Sequence, residues 1–402
     1  MTAPWLTVIG MGEDGLDGLN VLARTIVEAA ELLVGSERLL ALVPKGPAQR
    51  LVWPSPFDAL VERLAQARHC RVVVLASGDP LNYGVGRKLL QHFTIDEIRF
   101  LPHLSAFSLA AARLGWSLPD VETLPLHGRS TALIETAIAP GVRILALTAG
   151  EDTVREVARR LVVRGYGPSA LTVLEHLGGP AERRFGFTAD AVPQTDIADL
   201  TTLAIECRAE PGATLLTRVP GLPDDAFRHD GQITKREVRA ITLAALAPYP
   251  DALLWDVGAG SGSVAIEWMR AARAARAVAF ERHAGRLALI AENAADLGAP
   301  SLQIVAGDFL DTHAGLPPPD AVFLGGGVSN LRLFEAAWEP LKAGGRFVAN
   351  AVTLDGEARL AALNAAHGGE LVRIEVAYAE PVGQHMTMRP RLGVTQWRTI
   401  KP

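Results

Sequence analysis

The chain has 402 residues, 49% hydrophobic and 21% charged, which suits an ordinary globular protein with enough material for two cores. A net charge of −5 without any Lys/Arg run counts against a nucleic-acid partner. Cys70 and Cys207 each lie inside an apolar run and read as buried reduced thiols, not as a disulfide or zinc framework. The ten histidines show no metal-ligand spacing, so no metal is expected. No apolar run reaches transmembrane length and the segment MTAPWLTVIGMG lacks a basic region, so the expectation is a cytoplasmic chain without membrane contact.

Trp5 to Ile9 is a short apolar run that ends at Gly10-Met-Gly12-Glu-Asp-Gly15, and a helical stretch is expected from Asn20 through Gly35. Arg71 to Ala76 reads as a second buried strand, closed by Ser77-Gly78-Asp79-Pro80-Leu-Asn-Tyr83-Gly84. Small and turn residues at the carboxyl end of a strand mark a crevice loop. Asp79 also suits a solvated turn, and Tyr83 equally suits a core aromatic. Ile98 to Leu101 follows as a strand, then Pro102-His103-Leu104-Ser105 and an alanine-rich helix to Leu114. Leu124 to Arg129 reads as an extended crossover, in which His127 and Arg129 suit surface polar residues as well as functional ones.

These pieces resemble the tetrapyrrole (corrin/porphyrin) methyltransferase family, whose pattern is G-x-G-P-G, then S-G-D-P-x-x-Y-G, then P-x-x-S before a helix. Ser77 to Gly84 matches in full, whereas the first loop lacks the proline and carries an extra residue. The resemblance implies S-adenosylmethionine (SAM) held by Gly10, Gly12, Asp79, Tyr83 and Ser105, with His127 and Arg129 toward the substrate. From Gly141 the pattern restarts: a strand to Leu147, a turn at Thr148 to Asp152 and a helix from Thr153 to Arg164. Ala170–Glu175, Arg183–Thr188 and Thr201–Cys207 read as further strands, the last two antiparallel. In the resembling family cofactor and substrate lie between two such lobes, which makes Thr148 a cofactor candidate. Glu210 to Asp225 is rich in breakers and forms the interdomain seam, with the boundary set at residues 220/221.

Thr234 with Glu237 has capping-box spacing before a periodic helix, and it also resembles the entry of the decarboxylating corrin methyltransferase domain, where this threonine lies against SAM. Leu253 to Val257 is a buried parallel strand, and Gly258, Gly260 and Gly262 turn the chain into a helix whose N-terminus suits a nucleotide. Glu281 ends the next strand, 19 positions after Gly262, close to the ~20 of an acid that binds ribose hydroxyls. Asp256-Val-Gly258-Ala259-Gly260-Ser261-Gly262 with Glu281 resembles the SAM site of class I Rossmann-like methyltransferases. By the same resemblance Asp308 and Phe309 face the adenine, Gly326 in Gly325-Gly326-Gly327 meets substrate, and Lys342 to Asn350 form a turn and fifth strand. Glu292 and Asn293 are expected to close a helix. Leu371–Tyr378 and Leu392–Thr399 are expected as an antiparallel end hairpin, with Met386 to Pro390 a flap between them.

The fold class is therefore α/β. A two-lobed tetrapyrrole methylase fold is expected over 1–220 and a class I SAM methyltransferase fold with an end hairpin over 221–402. The pairing resembles the bifunctional, decarboxylating methyltransferases of cobalamin synthesis. It implies C5 methylation of a precorrin by the first half, C15 methylation with loss of CO2 from the ring-C (C12) acetate by the second, one SAM per domain and a homo-oligomer built through the C-terminal domain. A substrate with many carboxylates predicts arginine contacts, for which Arg129, Arg389 and Arg391 are candidates. Two alternatives are a cobalt-bound substrate, and an RNA methyltransferase domain preceded by a non-catalytic binding module.

Overall fold

The computed structural model describes residues 4–402; Met1 to Ala3, which open the segment read for a leader, lie outside them. Among the described residues no helix is long and apolar enough to cross a membrane. Contacts divide the chain into two compact units, one running through Thr131 and over Ala137–Thr214, the other comprising Ala132–Thr136 and Leu215–Pro402.

The N-terminal unit has two lobes. Strands β1 (Leu6–Met11), β2 (Leu32–Gly35), β3 (Gln49–Val52), β4 (Val72–Ser77) and β5 (Ile98–Leu101) form one sheet in the order β3-β2-β4-β1-β5. Every pairing in it is parallel. The central strands are buried along their length, as continuous Val/Leu/Ile runs in a two-sided sheet must be. The second lobe holds β6 (Val121–Pro125), β7 (Arg143–Ala149), β8 (Ala170–Glu175), β9 (Arg183–Thr188) and β10 (Leu200–Glu206), in the order β6-β7-β10-β8-β9.

Several expectations change here. The helix from Asn20 ends at Glu28, and Leu32–Gly35 is a strand, because sheet burial on both faces outweighs the helical pattern of this apolar run. The crossover after Leu124 is a turn: extended backbone stops at Pro125, and Gly128 is left-handed at φ 64°. Strands β9 and β10 each run antiparallel to β8, which separates them.

In the C-terminal unit, β11 (Leu253–Val257), β12 (Arg276–Glu281), β13 (Gln303–Ala306), β14 (Ala321–Leu324) and β15 (Arg346–Ala351) are joined by β16 (Glu370–Ile374) and β19 (Val394–Ile400). The order is β13-β12-β11-β14-β15-β19-β16, parallel from β13 to β15 and antiparallel across β19. The strand order reverses between β11 and β14, which opens a crevice at their carboxyl ends. The expected strand from Leu371 breaks after Ile374. The expected flap is instead one arm of a separate ribbon, β17 (Ala377–Val382) paired with β18 (His385–Pro390). Its side chains alternate, so Tyr378, Glu380, Thr387 and Arg389 share one face while Ala379, Pro381, Met386 and Met388 share the other. The helix containing Glu292 and Asn293 continues to Asp296.

Candidate active sites

The crevice of the C-terminal unit is a cavity of about 1110 Å³, which exceeds the ~300–1,000 Å³ usual for a single small ligand. Its floor is the turn after β11. Gly258 and Gly260 are left-handed at φ 75° and 60°, and a Cβ on Gly258 would point into open space. Across the switch point a Cβ on Gly325 would stand 3.7 Å from the Gly258 carbonyl, so the first and fourth strands bring their glycine turns together.

Glu281 is buried and held by three backbone donors. One oxygen accepts from Arg282 N and His283 N at 2.9 Å, and the other accepts from Gly260 N at 2.9 Å. A carboxylate has about four lone-pair sites, so one remains for a hydroxyl in the cavity that Glu281 lines. Asp308 accepts from Leu310 N at 3.0 Å, a local turn bond, and also lines the cavity. Beside it Phe309 stacks on His313 at 4.6 Å and meets Phe280 edge-on at 4.8 Å, which fixes its ring. An acid with a spare acceptor, an open glycine floor and an aromatic wall fit a SAM-type nucleoside.

Three residues of the glycine motif stand behind the cavity. Asp256 is buried, its Oδ2 accepts from Ala265 N at 3.1 Å, and its Oδ1 has no partner. Burial, with a further contribution from the Glu281 charge, raises its carboxyl to a pKa of about 7. Ser261 is likewise buried and its carbonyl accepts from Asn293 Nδ2 at 2.9 Å. Gly262 packs against Ile290, where a Cβ would stand 2.9 Å from Cγ2. Asp256 thus supports the loop through the first turn of its helix.

Thr234 lines the cavity but is not a cap. The helix begins at Arg236 with Lys235 as its N-cap and no side-chain bond, because the Glu237 carboxylate accepts from Tyr378 Oη at 2.5 Å instead. That bond also keeps Glu237 ionised, below the usual glutamate range. Thr234 is positioned by Arg239, which is 0% exposed and donates to the Thr234 carbonyl at 2.5 Å, to Asp224 at 3.1 Å and to Glu267 at 2.7 Å. Glu267 in turn accepts from Gly221 N and Leu222 N at 2.6 and 3.0 Å. This buried pair ties the unit's entry segment to its core. Gly326 lies on the cavity wall with open space above it, and Arg391 is on the wall beside Glu237 and Tyr378. Arg389 does not line the cavity; it and Arg391 share Glu380, at 3.2 and 2.5 Å.

In the N-terminal unit the crevice loops follow β1, β4 and β5. A Cβ on Gly10 would come within 1.9 Å of the Gly78 carbonyl and 2.6 Å of His103 N, so only glycine lets the three loops meet. Gly12 packs on Asp14 and on the His103 ring in the same way. Asp79 accepts from Leu81 N at 2.8 Å. Tyr83 adopts a left-handed φ of 58°, its hydroxyl donates to the Thr123 carbonyl at 3.3 Å, and its ring meets Phe107 edge-on. Ser105 is the N-cap of the helix Ala106–Leu114 and accepts from Ser108 N at 3.1 Å. Thr148 is buried and its hydroxyl donates to the Thr201 carbonyl at 3.3 Å, a bond across the sheet. His127 and Arg129 are exposed on the turn after β6. Sequence reasoning missed Glu237, Tyr378, Asn330 and Asn350 on the C-terminal cavity, and Glu13, Arg38 and His176 in the N-terminal crevice. Glu13 and Glu237 lie inside local motifs, the first glycine turn and the capping-box spacing, but their partners Arg38, His176 and Tyr378 are distant in sequence, so no spacing signal gave the role they play.

The two α/β units, each with a glycine turn at the carboxyl end of its first strand, have the architecture of a two-domain methyltransferase. Residues 6–193 match the tetrapyrrole (corrin/porphyrin) methylase family and residues 225–401 match the precorrin methyltransferase domain. A precorrin-6Y C(5,15)-methyltransferase [decarboxylating] of Sinorhizobium sp is 46% identical over 404 residues, covering 100% of this chain and 97% of the relative. Its Mycobacterium tuberculosis counterpart is 42% identical over 98% of this chain and 100% of the relative. The solved C-terminal domain of precorrin-6Y C5,15-methyltransferase from Rhodobacter capsulatus is 46% identical, with a TM-score of 0.44, covering 46% of this chain and 100% of that one. The chain belongs to the precorrin-6Y C(5,15)-methyltransferase (decarboxylating) family.

Proposed function

We propose that the chain converts precorrin-6Y to precorrin-8X. The N-terminal unit methylates C5, and the C-terminal unit methylates C15 and removes CO2 from the ring-C acetate, with one SAM bound to each unit in the cytoplasm. The support is the match to decarboxylating relatives over the whole length, together with a cavity that carries a nucleoside-type wall and a second polar wall. When bound, SAM supplies an electrophilic methyl on a sulfonium. Glu281 would hold the ribose hydroxyls, Asp308 and Phe309 the adenine, and Thr234 the edge of the cofactor. In the N-terminal unit the loops at Gly10, Gly12, Asp79, Tyr83 and Ser105 would do this work.

The methine carbons of a reduced tetrapyrrole are enamine-like and already nucleophilic, so the residues here have chiefly to align the reactants and exclude water. In the decarboxylation the C–C bond to the carboxylate breaks, its electron pair enters the macrocycle's iminium, and the side-chain carbon then takes a proton from solvent. Gly326 leaves room for the macrocycle, and Arg391 can pair with one of its carboxylates. The ribbon's other face, with Met386 and Met388 more than 60% exposed, supports a homo-oligomer through the C-terminal unit, since an isolated two-stranded ribbon is marginal in water. Mass spectrometry of precorrin-6Y incubated with SAM and the full chain tests the reading. Two added methyl groups with loss of CO2 are expected, and an unchanged tetrapyrrole would refute it.

A further inference from the structure

Loops at the carboxyl ends of strands in both N-terminal lobes, after β2 and β8, bring side chains to one carboxylate on the loop after β1. Glu13, on the glycine turn after β1, pairs through Oε1 with Arg38 and through Oε2 with His176 Nδ1 at 3.2 Å. Arg38 follows β2 and also donates to Ser77 Oγ at 2.7 Å, the serine that opens the crevice loop Ser77-Gly78-Asp79-Pro80. His176 follows β8 with a left-handed φ of 49°, a conformation that costs a non-glycine residue energy and persists where the surroundings impose it. Behind Glu13 the chain is close: a Cβ on Gly179 would stand 2.5 Å from Glu13 Cβ. The Glu13 side chain is only 17% exposed, whereas Arg38 and His176 are 37% and 33% exposed, so the receptor faces solvent more than its occupant does.

A guanidinium and an imidazole hold the carboxylate, the Ser77 hydroxyl accepts from the guanidinium and so fixes its direction, and the fork of Arg38 suits a planar acid. A clasp between lobes would need only the ion pairs. This one also recruits the serine of the crevice loop and draws its occupant from a turn containing Gly10, Gly12 and Gly15, which can yield when another acid competes. We infer that Arg38 and His176, with Ser77 holding the Arg38 fork in place, form a carboxylate-binding site of the N-terminal crevice, filled by Glu13 in the ligand-free chain and taken over by a carboxylate of the bound ligand. The inference rests on the proposal that this unit methylates a tetrapyrrole. The carboxylate is either a peripheral acid of the precorrin or the amino-acid carboxylate of SAM. Exchanging one ion pair for another is nearly balanced, so the resident Glu13 lowers apparent affinity by the fraction of time it vacates the site.

The test uses the full chain and follows the C5 and C15 methylations separately by mass spectrometry, with the C15 step as an internal control. For Glu13→Gln, the KM of the ligand whose carboxylate enters should fall by about 5-fold in the C5 step. For Arg38→Met, the same KM should rise by more than about 10-fold. The C15 step should stay within about 2-fold in both, its constants not depending on Arg38. A response in the precorrin KM assigns the site to substrate, and a response in the SAM KM assigns it to the cosubstrate. If Glu13→Gln leaves both values unchanged or raises them while Tm falls, the cluster is a lobe clasp and the inference is overturned. If the parent chain makes neither product, the functional proposal itself has failed, which is a different result.

Discussion

Both units place a glycine turn after their first strand, yet they hold it in different ways. In the C-terminal unit the turn is fastened by an acid on the adjacent strand, with Glu281 accepting from Gly260 N, and by Asp256 bonding to the first turn of the following helix. Every partner lies within 26 residues of the others, and the result is an open, preformed cavity. In the N-terminal unit the turn is fastened by side chains from distant segments: Arg38, His103 and His176 reach it from three other strand ends. The first loop is held by local backbone–carboxylate bonds, and the second by side chains from distant segments, which the proposed displacement of Glu13 would have to exchange.

The largest expected effect breaks the C-terminal side. Arg239→Met leaves Glu267, 2% exposed, as a buried charge without its cation, and removes the tie to the Thr234 segment. A loss of about 3–5 kcal/mol is expected in denaturant unfolding, with C15 methylation falling alongside. A loss under about 1 kcal/mol would mean that the entry segment is held by other contacts. Gly10→Ala is the counterpart on the N-terminal side. Its Cβ must displace the Gly78 carbonyl, so about 3 kcal/mol of destabilisation and the loss of C5 methylation are expected. Retention of the C15 product shows that the damage is local, and an active C5 step would refute the close packing of the three loops.

The third prediction sharpens the comparison through pH. Asp256 is raised to about 7, so its folded form favours the proton; the stability linked to it is greatest below the unfolded pKa and is lost as pH rises through 7. Asp256→Asn removes that dependence and keeps an acceptor for Ala265 N. The stability difference between variant and parent should therefore grow in the variant's favour by about 2–3 kcal/mol from pH 5 to pH 8. A difference that is flat with pH would place the Asp256 pKa near the ordinary carboxylate range.

The C-terminal glycine loop was legible because strand, glycine turn, helix, second strand and acid follow one another in a single segment, and each step has its own residue signature. The parallel strand Val72–Ser77 was legible as the apolar run from Arg71 to Ala76. Leu32–Gly35 was not, since a four-residue apolar run after a helix reads as more helix until the sheet that buries it is known. Thr234 and Glu237 had the spacing of a cap, but Tyr378, 141 residues on, claims the glutamate. Thr148 sat at the right strand end, and its hydroxyl turned into the sheet.

By itself the sequence determined two α/β units, the strands that carry their glycine turns, those turns and the acid at position 281. These depend on period, burial and backbone freedom, which are local properties of the chain. The tertiary structure alone decided what Glu13, Arg38, His176, Glu237 and Tyr378 do, because each acts on a partner that is distant in sequence. It decided as well that Asp256 stands behind its loop, since only packing determines which face of a strand loses water and thereby which carboxyl keeps its proton.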